Sequence, residues 1–341
     1  MAQRWGKLLK QGWQPKRSII LCSWDAEEYA LIGSTEWVEE NYDLLFTSAV
    51  AYLNVDVAVR GPGFLPESTP QLDDFIKEVA KEVEDPDNPG KSIYESWAAS
   101  SGGSSPQIGR LGGGGSDFAP FVQHVGIAAT DFSFGPKPWL SVYHSLYDDY
   151  MWMAKFGDPL FHRHAAMGAI WGLTALRLAD AEILPFNYST YADNLQLYAD
   201  AVETQLKAAD APSTYVSTLP LHKSIAELRK AAECITKKTE EAGEGVEKIQ
   251  LNARRSLNDL LVMAERAFTD AEGLPGNPWN KHLVYGPANT DKYGTTSFPG
   301  ISDMIPRVSA SGKSWEDVQH QIWRVSRVIS RVARVLLGEF T

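Results

Sequence analysis

The run Ser18-Ile19-Ile20-Leu21-Cys22-Ser23-Trp24-Asp25-Ala26-Glu27-Glu28-Tyr29 decides how the rest of the chain is read. Its first half is continuously apolar and rich in β-branched residues, the pattern of a strand buried on both faces. Its second half is an acidic turn. A helical pattern from Gly33 to Tyr42 and a second strand-like run from Ala49 to Val55 follow. Strand, helix and strand at this spacing predict a βαβ unit in a mostly parallel sheet.

On the amino side, Gln3 to Gln11 reads as the end of a helix. Beyond the unit, Pro70 to Glu84 has helical periodicity through Leu72, Phe75, Ile76 and Val79. From Asp85 to Ser116 the chain is rich in Gly, Ser and Pro and ends in Gly112 to Gly115, which predicts a long, mobile surface loop. A short helix near Phe118 to His124, a strand near Gly126 to Phe134 and a helix from about Pro159 to Ala179 complete this region. After Leu184 the character changes to helical patterns at Tyr191 to Ala208, Lys223 to Glu241 and Lys248 to Ala271. An irregular connection without strand signals runs from Leu274 to Met304. In the last helix Ser314 is the N-cap, and Val318, Ile322, Val325, Ile329, Val332 and Leu336 form one apolar stripe. The expectation is an α/β region, a mostly parallel mixed sheet flanked by helices, over 1–182, and an all-helical region over 183–341.

Composition narrows the function classes. With 341 residues, 44% apolar and 22% charged, the chain has the balance of a globular protein able to bury a core. Its net charge of -11 argues against a nucleic-acid or anionic-membrane surface. The most apolar stretch, Ala165 to Ala179, is too short to span a bilayer and carries Arg177, so no membrane segment is expected. Cys22 and Cys234 sit far apart in different patterns and read as two buried or idle thiols. Asn187-Tyr188-Ser189 is a lone glycosylation sequon.

Chemistry is concentrated where strands end. Glu27 and Glu28 follow the first strand, Asn54-Val55-Asp56 closes the second, and Tyr143-His144-Ser145 follows the third. In open α/β sheets ligands collect at the carboxyl ends of strands. Two carboxylates and an imidazole arriving there suit zinc, and a second glutamate could act as base on a bound water. Other features carry less. His162 and His164 lie two apart on a helix and point to different faces, so they are poor co-ligands. His124 and His320 read as surface or packing residues. The glycine run has no P-loop Lys-Ser/Thr behind it.

The segments Ser23 to Tyr29, Gly33-Ser34-Thr35-Glu36-Trp37, Tyr52 to Asp56, Lys91 to Trp97, Tyr143 to Ser145, Lys292-Tyr293 and Ser297 to Ile301 resemble, in order, the peptidase and helical domains of glutamate carboxypeptidase II-type zinc peptidases. The resemblance implies a zinc aminopeptidase-like α/β fold followed by a transferrin receptor-like helical dimerisation domain. It also implies hydrolysis of small peptides and a homodimer through the helices. By position, Glu27 corresponds to the general base and Tyr143 to the tyrosine that steadies the tetrahedral intermediate. Glu28, Asp56 and His144 correspond to zinc ligands, Lys292 and Tyr293 to the pair that holds the substrate carboxylate, and Glu36 and Glu39 to calcium ligands.

Three departures limit what is expected. The family's bridging Asp and a further His ligand lie upstream of the glutamate pair, but the first 26 residues contain no His and only Asp25. The protease-associated insertion has no counterpart. Where glutamate-preferring members carry arginines, this chain has Asp131 and Ser133, and Ser116 replaces an Asn. The expectation is therefore a C-terminal portion of such a peptidase, with an incomplete peptidase domain holding at most one zinc, weakly, and with little or no hydrolysis. The rival is a non-enzymatic receptor or assembly homologue of transferrin-receptor type. The family further implies an extracytosolic or membrane-anchored setting, with any anchor ahead of Met1.

Overall fold

The computed structural model describes residues 1–102, 105–135, 142–243, 247–288, 294–311 and 314–339. The first elements are α1 (Ala2–Lys10), α2 (Ile32–Glu40), α3 (Tyr42–Ser48), β1 (Ala51–Asn54), β2 (Phe64–Ser68), α4 (Asp73–Glu82), α5 (Ile93–Ser100), β3 (Gly109–Arg110) and β4 (Ala128–Phe134). A one-turn α6 (Tyr150–Trp152) precedes the long helices α7 (His162–Asp180), α8 (Tyr188–Ala208), α9 (Leu219–Gly243) and α10 (Glu247–Arg266). A small hairpin, β5 (Tyr285–Pro287) and β6 (Thr295–Ser297), leads into α11 (Pro299–Ser302), α12 (Met304–Ser311) and α13 (Trp315–Leu337).

The main sheet has the order β1-β4-β2-β3 and is mixed. β1 runs parallel to β4 with Asn54 beside Asp131, whereas β2 runs antiparallel to β4 with Glu67 opposite Asp131. β4 is central, and its Ala128, Ala129, Thr130 and Phe132 are fully buried. The apolar core continues without a break from Phe132 and Ile76 beside the sheet through Tyr191 and Leu228 to Ile322 and Leu336 of α13. Ser314 does cap α13, its hydroxyl accepting from the Glu316 N–H, and all six residues of the apolar stripe are buried.

The first strand is a correction. Ser18 to Trp24 carries no regular secondary structure and belongs to no sheet, and Ile20 and Leu21 are exposed. A strand needs a neighbour for its amides, and no described residue pairs with this one. Only the Trp24 indole, 2.9 Å from the Tyr52 hydroxyl, ties it to β1. Cys22, read as a buried or idle thiol, is free and exposed.

Other elements escaped the sequence reading. α5 lies inside the stretch read as loop; its signal was the Ser92-Ile93-Tyr94-Glu95 capping box, which is formed with reciprocal bonds of 3.2 and 2.7 Å. β2 alternates buried and exposed residues, but Pro66 hides it from strand rules. The β5–β6 hairpin is too short to show a period. Asn187 of the sequon is engaged at the start of α8, accepting from the Ser189 N–H and donating to Asp74. No described helix is long and apolar enough to cross a membrane.

Candidate metal centre and substrate cleft

Glu27, Glu28 and Tyr29 form a single tight turn held between left-handed residues, Ala26 at φ 56° on one side and Ala30 and Leu31 at φ 71° and 59° on the other. His144 has φ 59° as well. Non-glycine residues in this region cost about 1–3 kcal/mol each and cluster at functional sites. The turn closes on Gly33, where a Cβ would lie 2.3 Å from the Asp25 carbonyl oxygen, so that position has no room for a side chain.

This arrangement brings Glu28 and His144 together across the chain. Glu28 Oε1 lies 2.9 Å from His144 Nε2, and the Tyr143 ring stacks on the imidazole with centroids 3.9 Å apart. Glu27 stands beside them. Burial raises its carboxyl above the usual range, and the charges of Asp56, Asp117 and Glu28 raise it further, against His144. Asp117 is buried, accepts a 2.5 Å bond from the Ser34 hydroxyl, and is also raised, chiefly by burial. Behind the turn runs a relay of hydrogen bonds. Trp24 donates to Tyr52, Tyr52 donates to Asn54, and the Asn54 amide donates to Ser116 at 2.9 Å and Asp131 at 3.1 Å. Burial is the main reason the Asp131 carboxyl is pushed up to about 6.

The donor set does not amount to a closed zinc site. Catalytic zinc takes about three protein ligands, and the described residues contain no group of three or more His, Cys, Asp or Glu side chains placed to hold a metal. Glu28 and His144 make a two-ligand edge, with side chains 65% and 57% exposed, and Asp56 is felt at Glu27 as charge. Glu36 and Glu39 are both exposed on α2, and Glu39 accepts a 2.5 Å bond from the Trp279 indole. Among the described residues they join no cation-binding group. Lys292 and Tyr293 lie outside the described residues. His164 is engaged by Asp158 at 2.8 Å at the start of α7, and His124 stacks on Trp279.

A cleft of about 980 Å³ opens at the glutamates. Its α/β side carries Glu27, Glu28, Gly114, Gly115, Gln123 and His144; its helical side carries Trp279, Asn280, Pro299, Met304 and Arg307. That is a size suited to a small ligand. The glycine run is tethered where it enters the cleft, with Gln123 donating to the carbonyls of Gly112 and Gly113. Neither Gln123 nor Trp279 carries a signal in the sequence; only the fold brings them to the glutamates.

Residues 4–158 match the model of Peptidase family M28, and residues 216–337 match the transferrin receptor-like dimerisation domain. The two matches follow one another along the chain, the peptidase family M28 region first and the dimerisation domain after it. The chain is also similar to proteins named glutamate carboxypeptidases. It is 56% identical, over 99% of its length, to the probable glutamate carboxypeptidase LAMP1 of Arabidopsis thaliana, of which it covers 48%. It is 44% identical to the probable glutamate carboxypeptidase AMP1 of the same plant, over 100% of its length and 47% of the relative's. With the aminopeptidase NAALADL1 of Mus musculus it shares 33% identity over 97% of its length and 46% of the relative's. The chain thus spans about half the length of the curated relatives it matches.

Proposed function

We propose that this chain carries the general base, the tyrosine and part of the metal-ligand set of a carboxypeptidase-type peptidase acting on small peptides. Alone, it hydrolyses them weakly or not at all. The observation that supports this most is the Glu28–His144 pair, 2.9 Å apart, with Glu27 beside it on the wall of a cleft of about 980 Å³. A carboxylate in that place would take a proton from water and pass it to a leaving amine. Tyr143, stacked on His144, would be the donor to a developing oxyanion. Glu28, Asp56 and His144 are the residues that would contribute to a zinc site, but they need further ligands to close one. The helical region is proposed to form a two-fold homodimer, supported by the dimerisation-domain match.

The test is hydrolysis of dipeptides by purified 1–341 with added zinc. Turnover at or near background is expected, and Glu27→Gln should remove any residue of it. Zinc-dependent turnover in the ordinary enzyme range, about 1–10³ s⁻¹, would overturn the claim of weakness. The rival reading, an assembly protein without chemistry, is favoured by the open ligand set; it requires dimers in sedimentation with no zinc uptake and no peptide binding.

A further inference from the structure

Gln123 is 2% exposed, lies in a widened π-type turn (Pro120–Val125), and lines the cleft. Such turns recur at functional sites. Its carboxamide nitrogen donates to two carbonyls at once, Gly112 O at 2.6 Å and Gly113 O at 2.7 Å. Both N–H groups are thereby consumed, and this fixes which end of the amide is oxygen. The remaining atom, Oε1, accepts no hydrogen bond from the described residues and is not among the buried atoms without a partner. On a residue that lines the cleft, it is an acceptor held in one orientation.

The surroundings allow little movement. Gln123's own carbonyl accepts from the backbone N–H of Lys281 and His282, at 2.7 and 3.0 Å. Gly113 N–H donates to Thr295 Oγ1 at 3.1 Å, and that hydroxyl donates to Arg110 O at 2.7 Å. A Cβ on Gly112 would lie 2.6 Å from Thr295 Cγ2 and 3.0 Å from Gly286 N. The glycine wall is therefore wedged between Gln123 and the β5–β6 hairpin.

We propose that Gln123 is a substrate-binding residue of this cleft. Its Oε1 accepts a hydrogen bond from a peptide N–H, and its amide nitrogen and Thr295 hold the glycine wall against which that peptide lies. This rests on the reading of the cleft as a peptide site. The ligand class is a molecule with an N–H donor at the bond to be recognised, hence an amide in preference to the matching ester.

The experiment is calorimetric titration of the full chain with acetyl-Ala-Ala and with its ester analogue acetyl-Ala-lactate. The wild type is expected to bind the amide about tenfold more tightly. Gln123→Met, similar in shape but without the acceptor, should bind both probes equally. Thr295→Val, on the exposed hairpin, should weaken both probes several-fold and keep the preference for the amide. Equal binding of amide and ester by the wild type, or an unchanged preference in Gln123→Met, overturns the proposal. Unchanged affinities in Thr295→Val overturn its positioning half, and this variant remains informative if Gln123→Met does not fold. A wild-type chain that binds neither probe refutes the peptide cleft itself.

Discussion

Asp131 illustrates how one carboxylate can work against the fold that holds it. It sits midway along the central strand, with Glu67 opposite and Asp56 near, and accepts from the Asn54 amide and the Phe132 backbone N–H. Its folded value of about 6 lies above the usual aspartate range. The native state therefore keeps this proton longer than the unfolded chain does. Stability falls as pH rises from about 4 to 6, and the whole penalty persists above that window. Asp131→Asn keeps an acceptor for Asn54 and removes the charge. In metal-free urea melts it should stabilise the chain by roughly 2–3 kcal/mol at pH 7.5 and change little at pH 4. The same physics, burial first and neighbouring carboxylates second, raises Glu27.

At the scale of elements, Arg266 shows what holds α3 to the long helices. This buried guanidinium from the end of α10 donates to the Leu45, Phe46 and Ala49 carbonyls at the end of α3. All three lie at the negative end of the helix dipole; Leu45 O also accepts from the Ala49 N–H, and the later carbonyls are of the kind a helix terminus leaves without intrahelical partners. Burial lowers the arginine to about 10, still far above neutrality, so it stays charged. Arg266→Met should cost about 2–4 kcal/mol and speed amide hydrogen exchange over 42–49, with Arg266→Lys intermediate because one ammonium cannot reproduce the fork.

Elements also mark where sequence reading succeeds and stops. The six-residue stripe of α13 is legible because its apolar residues recur at helical spacing and all face one core. An acid pair after an apolar run is usually a solvated loop, and it is the convergence of several such ends that singles out Glu28 and His144, which meet at 2.9 Å. Ser18 to Trp24 misleads, since apolar β-branched residues report a capacity for pairing and say nothing about whether a partner is present. Gln123 and Trp279 are invisible for the opposite reason: their roles come from contacts over 11 and 240 positions of chain, which no local pattern encodes.

At the scale of the molecule, a buried polar knot couples the sheet to the helices. Glu265 of α10 and His282 before β5 are fully buried and 3.1 Å apart. Gln71, ahead of α4, donates to Glu265 at 2.9 Å, and Tyr191 of α8 donates to it at 3.3 Å. His282 Nδ1 accepts from the backbone N–H of Val284 and Tyr285, which leaves Nε2 as the donor to Glu265. His282→Phe would strand a buried carboxylate and two backbone amides, a loss of about 3–5 kcal/mol. Because one core and this knot are shared, circular dichroism and tryptophan fluorescence should report a single coincident melt, and the variant should lower both together.

The bare ribbon from Ser18 to Trp24 bears on how the molecule behaves in a crowded solution. It offers a line of amides and carbonyls, with Ile20 and Leu21 facing water, immediately beside the turn that carries the acids. Protein surfaces ordinarily blunt such ribbons with charges, prolines or bulges; this one is flanked by Lys16 and Arg17 on one side and Asp25 on the other, and has no such guard within it. A polypeptide lying along it would gain main-chain bonds and apolar cover together, so charging Ile20 and Leu21 should reduce self-association of the purified chain in light scattering.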